Sequence, residues 1–172
     1  MLPKQVTRYE HLMKEGLTKA QIAGLYAALK VFPTPFKGIY YTPMAEERKG
    51  NFIEKPLKVL FKAIRLFLKT DRFYFSCATA DEQAGRSWTP SNEIHVVNEK
   101  LSRRIELKKR INANMKKKSY RAVKVARLLS YYGNRIIFHR INDFDKAVAR
   151  ETPYGRFAIF SQSKKDKHRF RE

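Results

Sequence analysis

The stretch from residue 100 to residue 140 constrains this chain more than any other, because it is almost free of acidic residues yet keeps apolar residues throughout. It contains fourteen Lys or Arg residues and one acid, Glu106. Apolar residues such as Ile105, Val125 and Leu129 are interleaved with the charges. Blocks of like charge without apolar partners are usually disordered, whereas interleaved apolar residues predict order. The stretch is therefore expected to lie in a folded domain and to give it a basic face.

The charge imbalance extends to the whole chain of 172 residues, which has 37 Lys or Arg against 16 Asp or Glu and a formal charge of +21. A hydrophobic fraction of 43% and an aromatic fraction of 13% predict a folded protein. Such a surface repels itself unless it meets a polyanion. A thermophilic surface is also rich in Lys, but there Glu usually keeps pace. The composition therefore favours nucleic acid as the partner, because phosphate contacts release condensed counterions.

Several classes of protein have no support in the sequence. The single Cys77 cannot form an intramolecular disulfide, and four scattered His residues give no metal-ligand spacing, so we expect no metal and no cofactor. The first sixteen residues lack the apolar stretch of a secretory signal, and no apolar run of about 18 residues follows. We therefore expect a cytoplasmic protein with no membrane partner.

Local patterns predict a mixed series of helices and strands. Thr18 and Gln21 have the spacing of a capping box, which begins a helix over about 19–31 that Pro33 and Pro35 end. Leu57, Leu60 and the apolar residues after them predict a buried helix over 54–69. The other predicted elements are strands at 38–43, 72–76, 93–98, 135–141 and 154–160, short helices at 78–84 and 144–150, and a frayed basic terminus at 161–172.

Several of these segments resemble the AbiEi-type family of antitoxins and transcriptional regulators, which pair with a nucleotidyltransferase-like toxin in type IV toxin-antitoxin and phage-defence operons. The segment GIYY at 38–41 resembles the strand that closes the family's small winged helix-turn-helix module. The segment FYFS at 73–76, followed by a helix ending at Gly85, resembles its core segment. IHVV at 94–97 and RIIF at 135–138 lie where later strands of the family lie. The similar segments together span residues 18–141.

This resemblance implies an α/β (α+β) fold. Residues 1–52 would form a small winged-helix-like part and residues 53–160 a compact mixed α/β core. The charge pattern adds a basic face to that core, and the polar, basic composition of residues 161–172 adds a flexible tail. The sequence departs from the family pattern because only seventeen residues precede Thr18, and because Pro33 and Pro35 lie where a wing strand is expected.

The resemblance also implies a function, that of a DNA-binding transcriptional autorepressor and antitoxin. Two copies are expected on an inverted repeat, since one module of this size rarely gives strong specificity. The antitoxin effect would not require direct contact with the cognate toxin. Duplex DNA is the favoured ligand, and RNA remains an alternative.

The candidate nucleic-acid-binding residues combine the capped helix with the basic stretch. Gln can pair with adenine, and Lys or Arg can contact phosphate or guanine. The candidates are Lys19, Gln21, Lys30, Arg103, Arg104, Lys108, Lys109, Arg110, Lys116, Lys117, Lys118, Arg121, Lys124 and Arg127.

Two alternative functions come from other classes. A basic α/β domain with exposed aromatic residues could bind RNA or the ribosome. Glu106 and Lys108 have the E-x-K spacing of metal-dependent nucleases, with Asp81 or Glu93 as the second carboxylate. We expect no catalytic residue, because E-x-K arises readily by chance in so Lys-rich a stretch.

Three ring side chains are given structural interpretations. His95 and His139 lie in apolar strands and are expected to be core or rim residues rather than ligands or bases. Trp88 lies in a turn-like segment and could anchor a surface or cover the core; we favour the cover.

Overall fold

The computed structural model describes residues 5–170 and confirms the mixed α/β fold class. The chain divides into two compact units, and each unit is discontinuous in sequence. Unit 1 combines the residues up to Lys69 with Lys109–Tyr132, and unit 2 combines Thr70–Lys108 with the residues from Gly133 onward. These boundaries differ from the predicted division after residues 52 and 160. Within the described residues, no helix is both long and apolar enough to cross a membrane.

The elements are numbered in chain order. The first half contains β1 (Gln5–Arg8), α1 (Tyr9–Lys14), α2 (Lys19–Ala27), β2 (Phe32–Pro33), β3 (Ile39–Thr42), α3 (Ala45–Gly50), α4 (Pro56–Leu68), β4 (Phe73–Ser76) and α5 (Cys77–Gln83). The second half contains β5 (Glu93–Asn98), β6 (Arg103–Glu106), α6 (Leu107–Lys116), α7 (Tyr120–Ser130), β7 (Arg135–Arg140), β8 (Ala149–Thr152), β9 (Gly155–Ala158) and α8 (Phe160–Arg169).

Unit 1 contains an antiparallel sheet of order β1-β3-β2. Helices α1 and α2 lie between β1 and β2 in sequence, and residues 15–18 join them through Gly16, whose φ of +90° favours glycine. Strand β2 is only two residues long and lies at the sheet edge, where Pro33 can be tolerated because it has no amide hydrogen to donate. The order strand, helix, helix, hairpin is compatible with a winged helix, and that interpretation stays a prediction.

The core of unit 1 is built by α4 and α7 as well as by the sheet. Helix α4 buries Leu60, Ala63 and Ile64, which confirms the predicted buried helix. Helix α7 buries Leu128 and Leu129. Apolar residues of the basic stretch are thus part of a core, as their spacing predicted.

Unit 2 contains a six-stranded mixed sheet of order β6-β7-β5-β4-β9-β8. Strand β5 pairs in parallel with β7 and antiparallel with β4, while β6 is the edge strand beside β7. Both predicted strands over 93–98 and 135–141 are confirmed. The predicted helix over 144–150 is not found: a single 3-10 turn occupies Phe144–Lys146, and β8 follows it.

The C-terminal segment belongs to the fold of unit 2. Residues 161–169, expected to be a flexible tail, lie in α8, and its Asp166 is buried. The Asp166 carboxylate accepts hydrogen bonds from the Ser76 hydroxyl at 2.5 Å and the Tyr74 hydroxyl at 3.1 Å. These bonds stabilise the helix against β4. The last two residues of the predicted tail, 171 and 172, lie outside the described residues.

The interpretation of Trp88 as a cover for the core is wrong. Its side chain is 98% exposed, in the segment between α5 and β5. The core of unit 2 is closed without it, since β4 contributes Phe73, Tyr74 and Phe75, all buried.

Candidate nucleic-acid interface

Helices α6 and α7 are consecutive and are joined by a turn of only three residues, 117–119. The Ser119 hydroxyl caps α7 by accepting a hydrogen bond from the Ala122 amide at 3.2 Å. Lys118 has a φ of +51°, so a left-handed residue directly precedes the cap. Two helices joined by a turn of three or four residues are the basic form of DNA-binding helix pairs. We call residues 107–130 the basic hairpin.

The basic hairpin is free of acidic residues. It contains nine Lys or Arg, at positions 108, 109, 110, 116, 117, 118, 121, 124 and 127. In α6 only Leu107 is buried, so most of this helix is accessible to solvent. A helix with so few buried residues gains little stability from packing. Its exposure and charge are suited to contact with a polyanion.

The turn of the hairpin presents its charges outward. Lys116, Lys117 and Lys118 are exposed and form no salt bridge with any other residue in the range 5–170. Beside them the Tyr120 side chain is 78% exposed, and the Lys124 ammonium lies 4.1 Å from the centre of its ring. Tyr120 was not among the sequence-predicted site residues. Its position directly after the Lys-rich turn is the signal that could have identified it.

Two of the predicted contact residues have structural partners in unit 1. Arg121 donates to the main-chain carbonyl of Ala27 at 3.0 Å and to that of Tyr26 at 3.3 Å, and it therefore caps the C-terminal end of α2. Its guanidinium also lies 5.0 Å from the centre of the Tyr26 ring. Arg110 donates to the carbonyl of Pro35 at 2.6 Å. These two residues attach the basic hairpin to α2 and to the connection between β2 and β3.

The predicted residues on α2 lie on an exposed helix, of which only Ile22 is buried. The capping box is confirmed: the Gln21 carboxamide oxygen accepts from the Thr18 amide at 2.8 Å, and the Thr18 hydroxyl accepts from the Gln21 amide at 3.2 Å. A bidentate contact with adenine uses both polar atoms of the carboxamide. Gln21 would have to leave the cap to make that contact. Lys19 is exposed on α2, whereas Lys30, which was expected on the same helix, is exposed beyond the end of the helix at Ala27.

Three predicted residues belong to unit 2. Arg103 and Arg104 lie on edge strand β6, and Lys108 lies in the first turn of α6. The other predicted residues, from Lys19 to Lys30 and from Lys109 to Arg127, belong to unit 1. The structure therefore divides the predicted set between two units.

The carboxylates that the nuclease alternative requires form salt bridges with basic side chains. Glu106 lies 2.7 Å from the guanidinium of Arg135, and Glu93 lies 2.6 Å from another nitrogen of the same guanidinium. Asp81 pairs with Arg86 at 2.8 Å. Among residues 5–170, no group of three or more His, Cys, Asp or Glu side chains is placed to hold a metal ion.

Comparison with known proteins found no relative of this chain. No protein-family model, curated protein or solved structure matches the chain. The resemblance to AbiEi-type regulators therefore stays a prediction from short motifs.

Proposed function

We propose that this protein binds nucleic acid through the basic hairpin, with duplex DNA as the favoured ligand. The observation that carries the proposal is a segment of two helices and their connecting turn with nine basic and no acidic residues, in which three consecutive exposed lysines lie at the end of α6 and in the turn. Each phosphate that a Lys or Arg neutralises releases condensed counterions and adds affinity. No acidic residue of the hairpin opposes that effect.

The helical form of the hairpin favours duplex DNA over duplex RNA. The major groove of B-form DNA is about 12 Å wide and admits an α-helix. The major groove of A-form RNA is deep and too narrow for side chains to read. Helix α6, whose only buried residue is Leu107, has the exposure that such a groove requires. Binding that prefers RNA at the same ionic strength would contradict this part of the proposal.

A narrower role follows from the resemblance, that of an autorepressor and antitoxin acting on its own promoter. In that role two copies would occupy an inverted repeat, and a gene for a nucleotidyltransferase-like toxin would adjoin. Footprinting of the native promoter tests it. Absence of protection there, with intact binding to other duplexes, would leave a protein that binds DNA without this regulatory role.

The test of phosphate contact is the salt dependence of binding in the triple variant Lys116→Gln, Lys117→Gln, Lys118→Gln. We expect the slope of log K against log salt to flatten by up to about 3, since each lost contact removes about 0.9. The matched control substitutes Lys146, Lys164 and Lys165, three exposed lysines of unit 2, and removes the same charge. Equal flattening in both variants would mean that net charge, and not the hairpin, determines affinity.

A further inference from the structure

Two histidines in unit 2 form a direct pair on one face of the sheet. Parallel pairing sets His95 of β5 opposite Ile137 and His139 of β7 opposite Val97, so the two rings are diagonal neighbours. The His95 Nδ1 atom lies 3.0 Å from the His139 Nε2 atom, and the rings are within 5° of parallel. The Phe170 ring stacks on the His139 ring, with the two ring centroids 3.9 Å apart. The expectation of structural rim histidines misses this contact.

The pair lies in an open cleft of about 530 Å³ that is rich in arginine. Arg103 and Arg104 of β6 and Arg169 of α8 contribute to its wall, together with the hydroxyl-bearing Ser102. The only acidic residue in the lining is Glu93, which is paired with Arg135 at 2.6 Å. Arg169 is paired with Asp143 at 2.8 Å. The cleft therefore has a positive lining with an imidazole pair within it.

The surroundings of the pair disfavour positive charge on the imidazoles. Burial, then His95 and Arg104, lower the pKa of His139 to about 4. Burial also lowers the pKa of His95; Lys167 acts in the same direction, and Glu93, 3.7 Å away, opposes it. Both rings are consequently neutral at pH 7, and one of them donates a hydrogen bond to the other. An anion that enters the cleft would favour proton uptake by the pair.

We propose that this cleft binds the phosphate group of a nucleotide, as a free mononucleotide or as the terminal nucleotide of a strand. Guanidinium groups match phosphate oxygens in geometry and bind them through two hydrogen bonds. The volume falls within the range of small-ligand pockets, about 300 to 1,000 Å³, so it fits a nucleotide and exceeds a bare phosphate ion. The cleft consists of residues of unit 2 and shares none with the basic hairpin, so this proposal does not rest on the hairpin.

Proton uptake by the histidine pair is a measurable consequence of phosphate binding. The charged or titratable groups around the histidine pair are Glu93 on β5, Arg103 and Arg104 on β6, Arg135 on β7, and Lys167 and Arg169 on α8. A bound phosphate offsets the basic groups and must raise the pKa of His139. By reciprocity, protonation must strengthen binding. Affinity for the same ionic form of phosphate is therefore expected to rise as the pH falls below 6, toward the His139 pKa of about 4 in the free protein.

The first experiment measures binding of adenosine 5′-monophosphate to the full chain, with adenosine as the uncharged control. Imidazole resonances in NMR report the pKa of His139 with and without the nucleotide. We expect the pKa to rise on binding, and Arg104→Gln to weaken binding at least tenfold. Arg140→Gln is the matched control, because Arg140 is an exposed arginine outside the cleft lining. Adenosine binding as tightly as the nucleotide, or an unchanged pKa, would overturn the proposal.

The second experiment identifies the source of the phosphate. A 5′-phosphorylated tetranucleotide that binds more tightly than both adenosine 5′-monophosphate and the 5′-hydroxyl tetranucleotide would assign the cleft to strand ends. The reverse order would assign it to free mononucleotides. No binding of any phosphorylated probe would refute the cleft as a phosphate site. The triple lysine variant of the hairpin should keep this binding, which separates the failure of one proposal from the failure of the other.

Discussion

At the scale of single residues, two buried tyrosines of unit 1 differ in what their hydroxyls contact. The Tyr41 hydroxyl donates to the carboxylate of Glu47 at 2.5 Å, and Glu47 is itself buried and also accepts from the amides of Met44 and Glu54 at 2.9 Å. The Tyr132 hydroxyl is buried without a hydrogen-bond partner among the described residues. Two chemically identical substitutions should therefore have opposite effects.

We expect Tyr132→Phe to be neutral or to stabilise the protein by up to about 1 kcal/mol, since it removes an unsatisfied buried hydroxyl. Tyr41→Phe should destabilise by about 1 to 3 kcal/mol, because it removes one donor from a buried carboxylate. Urea unfolding followed by circular dichroism measures both. Similar losses in the two variants would show that ring packing, and not the hydroxyl's partner, decides the outcome.

Residue-scale features were predictable where they are local. The capping box was evident from the sequence because Thr18 and Gln21 are three positions apart and contact only each other's main chain and side chain. The pair of His95 and His139 was not, because it depends on which strands become neighbours across 44 positions of sequence. Both residues look alike in the sequence, as polar members of apolar strands.

At the scale of elements, the arginines of the basic hairpin differ in what they contact. Arg121 caps α2 through two carbonyl groups, whereas Arg127, exposed on the same helix, has no salt bridge within residues 5–170. A substitution that removes a helix cap costs stability, and one that removes a phosphate contact costs affinity. Measuring both stability and affinity therefore distinguishes the role of Arg121 from that of Arg127.

Arg121→Ala should lower the free energy of unfolding by about 1 kcal/mol. Arg127→Ala should change it by less than about 0.5 kcal/mol, yet weaken DNA binding and flatten the salt slope by about 0.9. Thermal unfolding and salt-dependent binding on the same samples measure the pair. If Arg127→Ala destabilises the fold as much as Arg121→Ala does, the assignment of separate duties fails.

Elements were predictable where their buried side is apolar. Helix α4 buries Leu60, Ala63 and Ile64, so the helical period is visible in hydrophobicity. Helix α8 buries Gln162, Ser163 and Asp166, which are polar and hydrogen-bonded, so no apolar period marks it. The same reason explains why its segment was expected to be a tail. The candidate hairpin was predictable as a charged, ordered stretch, but its turn and its caps were not.

At the scale of the whole molecule, the chain alternates between its two units. It leaves unit 1 after Lys69, returns at Lys109 to add most of the basic hairpin, and leaves again after Tyr132. Short motifs carry no information about such a return, since each describes only its own segment. The predicted division after residue 52 assumed continuous parts, which is why it separated α4 from the unit whose core it builds.

The excess charge of the whole molecule has a consequence for stability that can be measured without any ligand. With a net charge of +21, the folded state brings like charges closer together than the unfolded chain does. Screening weakens this repulsion, because the Debye length falls from about 30 Å at 10 mM salt to about 10 Å at 100 mM. The melting temperature should therefore rise with sodium chloride over this range, by about 2 to 8 °C for a gain of about 1 to 2 kcal/mol.

The triple variant Lys116→Gln, Lys117→Gln, Lys118→Gln gives this prediction a sharper form. These lysines lie close together at the hairpin turn and have no acid in the hairpin to offset them. Their removal should raise the melting temperature at 10 mM salt and reduce its dependence on sodium chloride, while nucleic-acid binding weakens. The same three lysines would then destabilise the free protein, because they repel one another, and strengthen nucleic-acid binding, because phosphate groups neutralise their charges. A triple variant that melts below the parent chain at low salt would show that these lysines stabilise the fold, and would argue against a surface kept basic for a polyanion.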